Sequence, residues 1–444
     1  MRLRALVSAL LLASPALYAQ WLEDSVAVGD GPRGLCYNPQ NHKVYCASQL
    51  SDDVTVINAA TNEVITTIPT ADGALTLCYN PANNKVYCAN DGAGNVTVID
   101  GAGDSAIVTV ATSAGPHALC YNPVNNKVYC SGKNGDEVTV IDGASNQVIA
   151  RVAAGDGPEA LCYNSANNRV YCANGNDSKV TVIDGATNQV IDTVAVGYEL
   201  FALCCNRQSN KVYCANAGSD NVTVIDGATN EVIATVATDH APCALCYDSA
   251  GNKVYCTNYV SNNVTVIDGA ADSVVATVDV GYNPNVLCYN RLDNNVYCGN
   301  HEDRSVSVIS AAADTVVATI PVGVNPWSAC HNPVENRVYV ACYGSARVYV
   351  LRNTVGLAEP ASTDGSLAPR ARRTIVRGVL RLANDECQMA NGELLDASGR
   401  KVLDLRPGPN DVSRLAPGVY FVQERLAASG QRSAVGVRKV IISR

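Results

Sequence analysis

Cysteine is the residue type with the most chemistry to offer in this chain. Of its 19 cysteines, fourteen fall into seven pairs spaced by ten: Cys36 with Cys46, Cys78 with Cys88, Cys120 with Cys130, Cys162 with Cys172, Cys204 with Cys214, Cys246 with Cys256, and Cys288 with Cys298. In an exported protein such pairs point first to disulfides. Two hairpin registers stand open for them. A loop of odd length sets the two sulfurs directly opposite, within the Cα separation of about 4.4 to 6.8 Å that a bridge tolerates. A four-residue loop with a left-handed fourth residue, Pro39 to His42 in the first unit, shifts the register by one and turns the sulfurs to opposite faces. There they would be small apolar fillers. Asn fills the fourth loop position in the seven other units, and Val340 replaces the second Cys of the last unit while Cys330 stays.

Other chemistry is sparse. There is no Cys-x-x-Cys-His, and His42, His117, His240, His301 and His331 occupy different repeat positions, so neither a metal site nor a cofactor is expected. Asp-Gly at 100, 142, 184, 226 and 268 reads as turn chemistry, not a ring of carboxylates. No Ser/His/Asp or paired-carboxylate grouping is evident, so no catalytic residue is assigned. Two carboxylates or histidines converging at the centre of the fold would favour an enzyme.

The elements that carry these residues repeat. Leu-Cys-Tyr-Asn and its variants place Cys at 36, 78, 120, 162, 204, 246, 288 and 330, always 42 residues apart. Each unit holds four short runs, as in Ala-Leu-Cys-Tyr, Arg-Val-Tyr-Cys-Ala, Lys-Val-Thr-Val-Ile and Gln-Val-Ile-Asp-Thr-Val of the unit from Ala160 to Val196. The runs are β-branched, aromatic or small, and Asn-Pro, Asn-Asn and Asp-Gly break them. Four strands per 42 residues predict a β-propeller blade. The eighth unit lacks its fourth strand, D, but Asp24 to Gly29 copies the end of one. That strand would complete the last blade and close the ring. The expected fold is all-β: an eight-bladed propeller of four-stranded blades over 20–352, with seven blades as the alternative.

Val-Tyr-Cys-Ala-Asn (Val86 to Asn90, Val170 to Asn174) followed by Val-Thr-Val-Ile-Asp (Val96 to Asp100, Val222 to Asp226) resembles the YVTN-type β-propeller repeat over residues 24 to about 351. The chain departs from it in carrying Cys where an aliphatic residue is usual and in having eight units where sevenfold rings are common.

The ends differ from the repeats. Met-Arg-Leu-Arg, an apolar run from Ala5 to Leu12, and a small-residue stretch ending at Ala19 read as a signal peptide over 1–19. No segment approaches the ~20 apolar residues of a membrane-spanning helix. Residues 353–373, rich in Pro, Ala, Ser and Arg, read as a linker. Residues 374–444 alternate as a small Ig-like β-sandwich. Within it, Gly392 to Leu403, Leu415 to Val422 and the final Arg438 to Arg444 resemble the C-terminal sorting domain of type IX secretion cargo. That resemblance implies export through type IX-like machinery to the medium or outer surface of a bacterial cell.

Charge and sequence variation bound the function. Residues 1–370 hold 19 Lys+Arg against 34 Asp+Glu, an acidic surface that repels phosphate backbones and makes nucleic acid an unlikely partner. The A to B and C to D turns on one side of the ring are nearly uniform. The D to A and B to C connections on the other side vary. Three residues before each A-strand Cys stand Arg33, Leu75, His117, Glu159, Phe201, Cys243, Asn285 and Trp327, predicted to ring the mouth of the central channel. The B to C connections vary from Gln49-Leu-Ser-Asp-Asp to Asn258-Tyr259 to His301-Glu-Asp-Arg304. Identical scaffolds presenting different side chains suit a binding surface. The expectation is a monomeric, non-catalytic binding or scaffold protein taking an extracellular protein or glycan ligand. The alternatives are a propeller-class enzyme, such as a lactonase-like hydrolase or lyase, and a structural component of the cell envelope.

Overall fold

The computed structural model describes residues 18–355 and seven short strands between 374 and 442, with side chains over 20–352. Residues 1–17 of the expected signal peptide lie outside the described residues; Tyr18 and Ala19 are paired to Val355 and Thr354 at the start of a strand.

The propeller has eight blades. Blade 1 comprises strands A (Pro32–Asn38), B (Lys43–Ser48), C (Asp53–Asn58) and D (Val64–Pro69), joined in that order as an antiparallel sheet. Blades 2 to 7 repeat it at A strands Ala74–Asn80, Pro116–Asn122, Pro158–Asn164, Leu200–Asn206, Pro242–Asp248 and Pro284–Asn290. Blade 8 takes A (Pro326–Asn332), B (Arg337–Cys342) and C (Arg347–Val355) from the end of the array and its D strand, Tyr18–Ala27, from the beginning. Strand C of blade 8 therefore takes in the first three residues of the expected linker. Each A strand lies against the A strands of both neighbouring blades, and blade 8 meets blade 1, so the A strands form the inner wall of a closed ring.

The core lies between blades. B and C strands are buried on both faces, and Val44, Tyr45, Val54 and Val56 are fully enclosed. This explains their unbroken apolar, β-branched sequences. The uniform face consists of staples. Tyr45 Oη donates to Asp104 Oδ1 at 3.0 Å and Lys43 Nζ lies 2.6 Å from Asp104 Oδ2, tying blade 1 to blade 2. The motif recurs at Lys211 with Asp272 and Lys253 with Asp314, and with Asn as acceptor at Lys85 and Asn146. Asn38 Nδ2 donates to Asn84 Oδ1 at 2.7 Å, and the same amide bridge recurs at Asn80, Asn122, Asn164, Asn206 and Asn290. Uniformity on this face is thus inter-blade bonding.

The staples also close the ring. Tyr339 Oη donates to Asn62 Oδ1, returning blade 8 to blade 1. Arg337, 1% exposed, donates to the Ala59 carbonyl and forms a two-pronged pair with Glu23 at 2.7 Å per arm. Glu23 sits where the N-terminal strand bulges between Leu22 and Asp24.

The A–B hairpins decide between the two cysteine registers. His42, Asn84, Asn126 and their equivalents are left-handed, with φ of 52 to 55°. Leu35, not Cys36, faces Cys46, and Cys36 faces Tyr45. The same offset sets Leu77, Leu119, Leu161, Leu203, Leu245 and Leu287 opposite the second cysteine of their units. Cys36 then packs toward blade 2 and Cys46 toward blade 8. None of the candidate bridges Cys36–Cys46, Cys78–Cys88, Cys120–Cys130, Cys162–Cys172, Cys204–Cys214, Cys246–Cys256 or Cys288–Cys298 forms. A one-residue slip sends the paired side chains through opposite faces of the sheet. Among the described residues one disulfide forms elsewhere, between Cys162 and Cys205, Cα atoms 6.5 Å apart. In other blades the A-strand cysteine shares a cluster with the next blade's Tyr, Cys36 with Tyr79 and Cys120 with Tyr163. Cys205 stands in that Tyr position.

A second compact unit spans Glu359–Arg444. Its described strands form a five-stranded sheet (Thr374–Val376, Val435–Ile442, Gly418–Leu426, Met389–Leu395, Lys401–Leu405, in spatial order) and a two-stranded sheet of Val379–Leu382 with Gly408–Asp411. Residues 356–373 of the expected linker lie outside the described residues.

Candidate functional site

The variable side chains before each A-strand Cys share one local geometry. In blade 1, Pro32 pairs with Ser48 and Gly34 with Ala47, which leaves Arg33 as the extra residue of a β-bulge. The shift recurs in every blade, placing Leu75, His117, Glu159, Phe201, Cys243, Asn285 and Trp327 in bulges. A bulge breaks the alternation of the strand and re-aims one side chain. The frame around it is constant: in blade 1 the N–H of Gln49 donates to the Gly31 carbonyl at 2.9 Å and that of Leu50 to the Asp30 carbonyl at 3.0 Å. Equivalent bonds hold the D to A and B to C connections of the other blades together.

The structure brings some of the predicted residues together and separates others. Arg33 lies 4.1 Å above the Trp327 ring centroid and 5.8 Å from that of Tyr343, and its Nη1 donates to Gln49 Oε1 at 2.9 Å. Trp327 meets the edge of His301 at 5.7 Å, and His301 is 6.5 Å from Tyr259. A continuous aromatic arc thus runs from blade 6 through blades 7 and 8 to the guanidinium of blade 1. Burial draws Arg33 below its usual pKa, with Tyr343, Asp91 and Glu159 opposing through charge. Across the ring, Glu159 is 2.6 Å from Lys133 Nζ and 3.6 Å from His117 Nε2, and its carbonyl is 2.9 Å from His117 Nδ1. Phe201 is exposed. Leu75, by contrast, is 6% exposed and sinks into the core, which corrects its place among the presented residues. Cys243 is held by Thr257 Oγ1 and the Pro284 carbonyl, and burial pushes its thiol up to about 11. Asn285 is half-buried.

A second column escaped the sequence reading as a column. Sixteen residues after each bulge residue stand Gln49, Asp91, Lys133, Gly175, Ala217, Tyr259, His301 and Tyr343. Their 42-residue spacing was present in the chain, but only the D to A and B to C backbone pairing shows that they stand beside the bulges.

The chemistry available is stacking, cation–π contact and hydrogen bonding. No group of three or more His, Cys, Asp or Glu side chains able to hold a metal occurs among the described residues. The buried thiols are held in the protonated form, Cys78 and Cys246 pushed up to about 12 by burial. That is opposite to the shift a ligating or nucleophilic cysteine needs.

A family model described as YNCE-like beta-propeller matches residues 3–289. The chain belongs to the YNCE-like β-propeller family. Among solved structures, the propeller is similar to Saccharomyces cerevisiae Sqt1, at 11% identity and a TM-score of 0.65, covering 77% of this chain and 99% of that one. It is also similar to Kuenenia stuttgartiensis hydrazine synthase, at 18% identity and a TM-score of 0.55, covering 73% and 96%. At these identities the likeness concerns the fold. No curated protein matches significantly. Among the described residues, no helix of this YNCE-like propeller is long and apolar enough to cross a membrane.

Proposed function

We propose that this YNCE-like propeller is a non-catalytic binding or scaffold module, acting outside the cell or on its surface, with its ligand site on the variable face. The observation that carries the reading is the bulge: eight copies of one backbone frame hold eight different residue types at it, of which Arg33, His117, Glu159, Phe201, Asn285 and Trp327 lie outside the core. Rigid elements with variable tips are the usual way a repeat protein builds a recognition surface. Trp327, 39% exposed and preorganised by Arg33 and His301, has the character of a binding anchor.

The test is a glycan and protein array screen with the mature protein, repeated with Trp327→Ala and Glu159→Lys. Both variants should weaken the recovered ligand, with thermal melts checking that each still folds, since Glu159 also pairs with His117 and Lys133 of blade 3 and Trp327 stacks on His301 of blade 7 and Arg33 of blade 1. Ligand binding that is indifferent to both would sink the assignment.

Export through the C-terminal unit rests on the signal-like N-terminus and the sorting-domain resemblance. Removing residues 374–444 should leave the propeller in the periplasm of the producing cell, read by fractionation. Undiminished release would refute that role.

One observation favours a second reading, a propeller-class enzyme. His117 and Glu159 converge within 3.6 Å at the inner rim, a spacing suited to acid–base work. Both ring nitrogens of His117 are engaged by Glu159 itself, and Lys133 takes the other carboxylate oxygen. That closed arrangement suits a fixed polar support better than a group poised toward substrate.

A further inference from the structure

Three columns of the variable face divide the ring into two chemically different halves. Beside the bulge column and the B to C column runs a third, in the D to A turns, whose carbonyls accept from the B to C backbone: Asp30 from Leu50, Tyr198 from Gly218, Tyr282 from Glu302. In blades 1 to 4 this third column holds Asp30, Asp72, Ala114 and Asp156, all exposed. The other two columns add Arg33, Asp91, Lys133 and Glu159 there, giving five carboxylates against two cations. In blades 5 to 8 the same twelve positions hold Tyr198, Phe201, Tyr259, Tyr282, Trp327 and Tyr343, with no Asp, Glu, Lys or Arg. The four exposed Phe, Trp and Tyr side chains among residues 20–352 all belong to this half: Tyr198 at 71%, Tyr282 at 62%, Phe201 at 46% and Trp327 at 39%.

Two carboxylates near the aromatic half are committed to the loops themselves, while Glu302, 62% exposed, meets His301 Nδ1 at 3.2 Å. Asp220 accepts from the N–H of Ala241 at 2.9 Å and Asp303 from that of Tyr282 at 2.7 Å. Drift at exposed loops would scatter charged and aromatic residues among the blades. Their separation into two contiguous arcs within these three columns fits one ligand laid across the mouth. Arg33, its guanidinium 4.1 Å above the Trp327 ring, marks the border of the two halves.

We infer that the face binds an extended peptide segment with basic side chains at one end, over blades 1 to 4, and aromatic or aliphatic ones at the other, over blades 5 to 8. The inference rests on the rim being the ligand site and names the ligand's class. Charge complementarity selects it: a neutral sugar leaves Asp30 and Asp72 without a counter-charge, and an anionic polymer is repelled by them.

A random dodecapeptide display library, selected on the full-length mature protein with a glycan microarray run in parallel, tests it. Enriched peptides should carry Lys or Arg near one end and Trp, Tyr, Phe or Leu near the other. Asp30→Lys with Asp72→Lys should cost them about tenfold or more in affinity, and Trp327→Ala with Tyr282→Ala a similar factor. Raising the salt concentration should weaken wild-type binding and leave the doubly charge-reversed variant less affected. Enriched peptides without basic residues, or binding indifferent to Asp30→Lys with Asp72→Lys, overturn the inference. A glycan bound in a Trp327-dependent way with no peptide enriched overturns it too, yet leaves the rim as the ligand site. Ligands that no rim substitution affects, or no ligand from either probe, remove both.

Discussion

At the level of single residues, the cysteines show how one torsion angle decides chemistry. A left-handed fourth loop residue, His42 or Asn, turns each spaced pair from a crosslink into packing on two faces of a blade. The exception follows from a single replacement, Cys205 where blades 1 to 4 have Tyr, which offers Cys162 a partner on the next blade. A thiol titration of the denatured, unreduced protein should therefore return seventeen thiols from nineteen cysteines, with Cys387 outside the described residues counted as free. Peptide mapping should recover Cys162 joined to Cys205. Five thiols, the number left if all seven hairpins were bridged, would contradict the register.

At the level of the element, the C to D turns carry a pH dependence. Asp142, Asp184, Asp226 and Asp268 each accept backbone N–H groups two or three residues on, Asp226 from Ala228 at 2.7 Å and Thr229 at 2.9 Å. These bonds, first among them those from Ser145, Thr187, Thr229 and Ala271, hold the four carboxyls below the ordinary value of 3.8. A folded pKa below the unfolded one stabilises the fold above the unfolded value, and the contribution is lost as pH falls through the folded value. The melting temperature should thus be steady from pH 7 to about 5 and fall below about 4. Asn58 makes the same turn in blade 1 without ionising, accepting from Ala60 at 2.9 Å and Thr61 at 3.1 Å. Changing all four Asp to Asn should flatten the acid decline, measured by thermal melts between pH 3 and 7; an unchanged slope would assign the acid sensitivity to other carboxylates.

For the whole molecule, stability depends on closing the ring with residues more than three hundred positions apart. Glu23 and Arg337 meet at 2.7 Å in a buried, two-pronged contact, and Arg352 approaches the same carboxylate at 3.3 Å. Removing one partner of a buried pair costs about 3 to 5 kcal/mol because the other is left desolvated. Arg337→Ala should lower stability by that order in denaturant melts and expose the strand Tyr18–Ala27 to protease before the rest of the propeller. Simultaneous loss of all eight blades, with no early cleavage there, would show that closure is held chiefly by backbone pairing.

The sequence by itself determined the propeller and pointed to the borrowed closing strand, because a 42-residue period of four alternating runs admits few other packings and Asp24 to Gly29 copies the end of a D strand, while the choice of eight blades over seven was left to the structure. It also separated a uniform face from a variable one. Tertiary structure decided what depends on a one-residue register or on neighbours far apart in the chain. The φ of one loop residue set the cysteine faces, a bulge chose which side chain turns to the mouth, and ring closure brought Arg33 onto Trp327 and Glu23 onto Arg337. Leu75 illustrates the limit at the site: it shares its column with Arg33 and Trp327, yet an apolar side chain re-aimed by the same bulge gains more by folding back into the core than by facing water.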